Sequence, residues 1–407
     1  MITTDKNPFL DTAWNIGCQL MKSSIWHQGC CNWQGYSVES LNGIYQPILR
    51  TFGPDVYSGT AGIARFLSAL YSEIKDPILL KTVEGSILQM KASMHEAPNY
   101  GFYAGKSGIA ATLIKLGRDH DRMDWMEDGI GLLNSIPDAS LQSYEIDIIS
   151  GASGTIPVLI DGYNAFGMQE LLDKAVALGH QLCRTATKNN DVWSWATVPS
   201  QTNLTGYSHG ASGMAVALLQ LYEMTAEPLF LEAATGGFNY ERKSFDSLQQ
   251  NWPDFRDGVT TSSAKVCSLA WCHGAPGIAL SRLKAKQIKP ELVFENEMNV
   301  ALTTTAKSTL HSLMDHASQS NYSLCHGLAG NADVLLECSG ADYYQLAAAV
   351  GTAGINKYQD NNLAWPSGLN TGHYAPGLMM GVAGTGYFYL RLYDKDKHKT
   401  VLMPSLN

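Results

Sequence analysis

The chain has 407 residues, 45% of them hydrophobic, with 28 Lys and Arg against 37 Asp and Glu for a net charge of −9. That acidic balance argues against nucleic acid, which favours a basic stripe, and no apolar run approaches the roughly 18 residues a spanning helix needs. Eight cysteines are scattered without framework spacing, so they read as core residues, ligands or nucleophiles rather than disulfides.

The N-terminus, MITTDKNPFLDTAWNIG, lacks the charged start and apolar centre of a secretory signal, which predicts a cytoplasmic protein. Adjacent Cys30 and Cys31, beside Trp26 and Trp33, read as buried thiols. From there a small motif, Gly-x-x-Gly followed by an apolar run, occurs seven times. In chain order the copies are YSGTAGIARFL, YAGKSGIAATL, IISGASGTIPVL, YSHGASGMAVALL, WCHGAPGIALSRL, LCHGLAGNADVLL and MMGVAGTGYFYL. Their first glycines, Gly59, Gly105, Gly151, Gly210, Gly274, Gly327 and Gly381, are 46, 46, 59, 64, 53 and 54 residues apart.

After each glycine pair the apolar residues take a helical period. Ile63, Phe66, Leu67, Leu70 and Tyr71 do so in the first copy, and Met214, Ala217, Leu218, Leu221 and Tyr222 in the fourth. The glycines suit a tight loop entering a helix, through positive φ or close backbone packing. A step of about 50 residues holds two helices of ordinary length and their connections. An open solenoid would end in capping repeats, yet the last copy is as apolar as the others. The sequence therefore predicts an all-α fold, an α/α toroid of seven helical hairpins in a single domain over 1–407. Its repeat core runs from about 57 to 392, with the Gly-x-x-Gly loops at one end of the inner helices. Strand signals are sparse. The segment GFYAGKS at 101–107 imitates a phosphate loop, but it has three residues between its first Gly and the Gly-Lys where four are needed.

Three repeats carry metal-ligand or acid–base residues directly before their glycine: His209 in the fourth, Cys272 and His273 in the fifth, Cys325 and His326 in the sixth. The third carries Asp147 four residues before Gly151. Two Cys-His-Gly triplets occupy the same slot of adjacent repeats, which predicts a zinc site of nitrogen and sulfur ligands. Spacing alone leaves His273 and His326 equally eligible. Trp271 and Trp252 read as packing residues, Tyr207 and Lys265 as pocket residues.

The set GYSHGASGMAVALL, NWPDFRDG, AWCHGAPGIALSRL, SLCHGLAGN and PGLMMGVAGTGYFYLRL resembles the lanthionine synthetase C-like family. It is most similar to the cyclase domain at the C-terminal end of bifunctional class II lanthipeptide synthetases. The resemblance runs from about Tyr57 to Leu392 and implies an α/α toroid. It implies Zn2+ held by Cys272, Cys325 and His326, with His209, Asp147 and His273 as the catalytic candidates. The position of His273 is Tyr in some free-standing bacterial cyclases. Those enzymes also carry an Arg four residues before the first zinc Cys, where this sequence has Ser268, with Lys265 three residues earlier. The bifunctional members carry a large dehydratase domain ahead of the cyclase, which these 407 residues do not include; a separate dehydratase is thus a candidate partner.

The activity implied is addition of a peptide cysteine thiol to dehydroalanine or dehydrobutyrine in a dehydrated precursor peptide, closing a thioether ring. A free thiol of pKa about 8.5 is mostly protonated at pH 7, and zinc coordination deprotonates it. A Cys/Cys/His set favours thiol over hydrolytic chemistry. The resulting enolate needs a proton, for which His209 is the first candidate and His273 the second, with Asp147 orienting or charging one of them. Three other readings stand beside it. The thiol could be glutathione or another small thiol; the chain could be a non-catalytic zinc-containing peptide-binding subunit. An α/α-barrel glycosidase would use Glu145, Asp147 and Asp333, but leaves both Cys-His-Gly motifs unexplained.

Overall fold

The computed structural model describes residues 7–41, 44–138, 145–198, 202–256, 266–292, 295–315, 320–369 and 373–406. Helix α1 (Pro8–Ser23) is followed by two antiparallel hairpins, β1 (Ile25–His27) with β2 (Cys30–Asn32) and β3 (Gln34–Leu41) with β4 (Ile44–Thr51). The first repeat supplies α2 (Thr60–Ile74) and α3 (Pro77–Ser93), the second α4 (Lys106–Asp119) and α5 (Met123–Asn134). The third gives α6 (Ala152–Phe166) and α7 (Gln169–Thr185), and a short hairpin follows, β5 (Thr187–Asn189) with β6 (Val192–Ser194). Next come α8 (Ala211–Thr225) and α9 (Pro228–Ser244), α10 (Ala275–Ile288) and α11 (Glu295–Met314), α12 (Leu328–Leu336) and α13 (Ala341–Gly354), and α14 (Val382–Tyr393). Among the described residues no helix is long and apolar enough to cross a membrane.

Each first glycine is the N-cap of its repeat's leading helix. Close packing explains the second glycine: a Cβ at Gly277 would lie 2.2 Å from the Trp271 carbonyl oxygen. Only Gly274, among the seven N-caps, also needs the left-handed region, with φ +91. The leading helices are buried almost throughout. Their partners bury a stripe and are held by tight turns; Asp76, for example, caps α3 through the Ile78 and Leu79 amides ahead of Pro77.

The chain divides into two compact units. One comprises Ala97–Ser308 with Met403–Asn407; within it α4, α6, α8 and α10 pack on one another in chain order. The other joins Met1–Glu96 to Thr309–Leu402, and here α12 packs on α14 and α14 on α2. The seventh repeat has no following helix among the described residues, and α1 packs along α14 in its place. First and last repeats are thus joined inside one unit.

The glycine loops are linked by their backbones. In the first unit Ala104 N–H donates to Ile149 O at 3.0 Å, Ile148 N–H to Ser208 O at 3.0 Å, and Ser208 N–H to Cys272 O at 3.3 Å. In the other, Cys325 N–H donates to Met379 O at 2.9 Å and Met379 N–H to Tyr57 O at 2.8 Å. The strands exceed the sequence expectation. The β1–β2 turn uses positive φ at Gln28 and Gly29, and Asn42-Gly43, between the sequences of β3 and β4, is itself a strong hairpin dipeptide.

Candidate functional site

Four of the candidate residues lie on linked loops of the Ala97–Ser308 unit. Asp147 is 6% exposed and uses both oxygens: Oδ1 accepts from Ser150 N–H at 2.7 Å, and Oδ2 accepts from His209 Nδ1 at 2.5 Å. A carboxylate so fixed dictates the tautomer, placing the His209 proton on Nδ1 and leaving Nε2 for chemistry on a partly exposed ring. Burial disfavours the His209 cation, but the adjacent Asp147 carboxylate and its hydrogen bond outweigh that and raise the pKa above the ordinary imidazole value. Removing the charge with Asp147→Asn should lower the His209 pKa measured by ring-proton NMR.

His273 lies beside it, with ring centroids 5.9 Å apart. Its Nδ1 donates to Thr205 O at 3.3 Å and stands 3.9 Å from Asp254 Oδ1. Burial and then the Arg256 cation hold its pKa down to about 3, against the pull of Asp254. The ring is therefore neutral near pH 7 with its proton on Nδ1. Its buried Nε2 has no hydrogen-bond partner among the described residues, a bare lone pair suited to accept or to ligate rather than to donate.

Sequence reasoning assigned no role to Asp254 and Arg256, although both lie in NWPDFRDG. Asp254 is fully buried and takes Arg256 in a fork, with Nη2 at 2.6 Å from Oδ2 and Nε at 2.9 Å from Oδ1. Burial opposes its ionisation, but the Arg256 hydrogen bonds keep the carboxyl at about 2. Ser268 donates its hydroxyl to the same carboxylate at 3.0 Å. Lys265 lies outside the described residues. Tyr207 is buried edge-on against Trp271 and belongs to the core, not to a pocket. Trp252 and Trp271 are fully buried. The loop at 101–107 uses its Lys106 and Ser107 amides on the Asn99 and Tyr100 carbonyls, so they are not offered to a phosphate.

The remaining candidates lie in the unit formed by Met1–Glu96 and Thr309–Leu402. Cys325 is 4% exposed, and its Sγ accepts from the Tyr57 hydroxyl at 3.0 Å. His326 Nε2 lies 2.7 Å from Gly368 O. A carbonyl only accepts, so Nε2 holds the proton and Nδ1 the lone pair. A backbone carbonyl orienting the far nitrogen is the usual support of a metal-ligating histidine, and a hydroxyl on sulfur is the support of a thiolate. Sulfur and imidazole nitrogen are donor types that zinc takes. Among the described residues no three His, Cys, Asp or Glu side chains lie grouped as a preformed metal cage. Asp333, a carboxylate of the glycosidase reading, is engaged by Arg391 at 2.7 Å and Thr400 at 2.5 Å.

A sequence model of the family described as lanthionine synthetase C-like protein matches residues 51–405. The lacticin 481/lactococcin biosynthesis protein LcnDR2 of Lactococcus lactis subsp. lactis is 24% identical over 393 residues, covering 92% of this chain and 39% of that protein. The chain thus spans well under half the length of that relative. The nisin biosynthesis protein NisC of the same organism is 22% identical over 316 residues, covering 68% of this chain and 72% of that one. The solved structure of nisin cyclase superposes with a TM-score of 0.64 at 16% identity, over 86% of this chain and 91% of its own. That likeness shows the fold, the all-α toroid class expected from the repeats.

Proposed function

The chain belongs to the lanthionine synthetase C-like family, and from that premise we propose that it is a zinc-dependent lanthionine cyclase. Its substrate is a dehydrated precursor peptide in the cytoplasm. The observation that carries the reading is the Asp147–His209 pair: a buried carboxylate fixing a partly exposed imidazole, one loop from Cys272 and tied to it through Ser208. The names of LcnDR2, a lacticin 481/lactococcin biosynthesis protein, and NisC, a nisin biosynthesis protein, support it.

Cys272, Cys325 and His326 are the proposed zinc ligands, with His273 Nε2 as the second imidazole donor in reserve. Zinc, when bound, supplies the Lewis acidity that deprotonates a thiol near neutral pH. The protein's own residues do the rest. Sulfur adds to the β-carbon of the dehydroamino acid, and the π electrons pass to an enolate. His209, protonated on Nε2 and held by Asp147, delivers one proton to the α-carbon. Atoms balance: the thiol proton leaves and one proton is returned to carbon, so the peptide keeps its mass.

The test is a dehydrated peptide offered with and without its own cysteine, and with external glutathione. Ring closure gives no mass change but loses one titratable thiol. Mass gain from glutathione alone would reassign the thiol donor, and binding without thiol loss would make the chain a peptide-binding subunit.

A further inference from the structure

Glu241, on α9, has no part in the chemistry above, yet it is completely buried and concentrates three hydrogen bonds on one oxygen. Its Oε1 accepts from Gly206 N–H at 2.9 Å, from Ser212 N–H at 2.9 Å and from the Ser212 hydroxyl at 3.0 Å. These anchor points lie three residues before and three after His209. The Glu241 main-chain carbonyl accepts from Trp252 Nε1 at 3.0 Å, two residues ahead of Asp254. Thr205, next to Gly206, donates its hydroxyl to Pro253 O at 2.5 Å, and its main-chain carbonyl accepts from His273 Nδ1 at 3.3 Å.

Gly206 shows how tightly the held segment sits. It has φ +99, and a Cβ there would lie 2.9 Å from Cys272 O and 3.1 Å from the His273 Cα. The amide that Glu241 grips therefore belongs to backbone pressed directly on the Cys272–His273 segment. Glu241 Oε2 is buried without a partner among the described residues. A carboxyl buried this deeply with one oxygen unpartnered is costly to retain, which argues for a demand beyond packing.

We propose that Glu241 is a positioning residue: it clamps both ends of the His209 loop and through it fixes the spacing of His209 from Cys272 and His273. The claim rests on the cyclase reading for its catalytic consequence only. Burial pushes the Glu241 carboxyl up to about 7, with Arg282 and the three donors pulling the other way. Arg282 is itself tied to Glu297 and to the Ser212 hydroxyl. The clamp needs an acceptor oxygen rather than a charge, so glutamine should replace glutamate where alanine cannot.

The experiment compares wild type, Glu241→Gln, Glu241→Ala and Ser212→Ala, by peptide-resolved hydrogen exchange over 205–212 and by steady-state kinetics with zinc content. Glu241→Ala should speed exchange in that segment. It should lower kcat by about 100-fold, the scale of a 1 Å misplacement, while KM stays within about threefold and zinc is retained. Glu241→Gln should remain within about fivefold of wild type, and Ser212→Ala should fall between the two. A merely structural role lowers melting temperature without splitting kcat from KM. If Glu241→Ala does not fold, exchange in Ser212→Ala decides, because it removes one of the three bonds. Unchanged exchange over 205–212 overturns the clamp whatever the activity. A wild-type protein that closes no ring overturns the cyclase reading instead, and leaves the clamp to be decided by exchange alone.

Discussion

Protein carrying Cys325→Ala is expected to lose stoichiometric zinc and about three orders of magnitude of ring-closing rate. Cys325 is 4% exposed and its sulfur accepts from the Tyr57 hydroxyl, so its loss takes away one donor and the support arranged around it. Two remaining ligands do not satisfy a metal that takes four-coordinate sites. Without the metal, a substrate thiol of pKa about 8.5 is only a few per cent thiolate at pH 7. Losing several kcal/mol of Lewis-acid assistance corresponds to a factor on the order of 10³. Metal analysis of the purified protein beside Cys272→Ala checks it. Cys338→Ala is the control, since burial holds that thiol up at about 11 and its removal should leave zinc intact. One zinc per chain in both ligand variants would refute the site.

His209→Asn separates chemistry from metal. Asparagine can still pair with Asp147, so the loop and its link to Cys272 should persist. What disappears is the imidazole proposed to hand a proton to carbon. A general acid contributes about 10²–10⁴-fold, and that loss should appear in kcat with zinc content unchanged. Wild-type turnover by this variant would remove His209 from the mechanism and return attention to His273.

The candidate residues were legible because repeats place residues in equivalent slots before their glycines. Cys272 and Cys325 stand two residues before their glycines, His209 and His326 one, and Asp147 four, and neighbouring loops do bond to one another through Ile148, Ser208 and Met379. Residues outside that register were invisible. Glu241 stands on a second helix, where spacing carries no phase, and Asp254 and Arg256 sit in the longest inter-repeat segment. Their roles depend on burial and on three-dimensional hydrogen bonding, and neither leaves a periodic trace. The two histidines after Cys272 and Cys325 read identically in sequence. The structure separates them by which nitrogen is taken, Nδ1 by Thr205 in one and Nε2 by Gly368 in the other. The β-hairpins escaped notice because their strands are short or marked chiefly by a two-residue turn signal.

The packing of α1 along α14 has a consequence for how the chain is made. One unit needs Met1–Glu96 and Thr309–Leu402 together, so its first part leaves the ribosome long before its partner exists. At roughly 5–20 residues per second, the intervening stretch takes about 10–45 s to synthesise. Ala97–Ser308 can gather its four leading helices during that interval. The N-terminal segment, carrying Ile16, Leu20, Phe66 and Leu67 for a core not yet delivered, waits with apolar surface uncovered. Nascent-chain folding should therefore proceed from the middle outward, with the N-terminal segment the stretch most dependent on chaperones until α14 emerges.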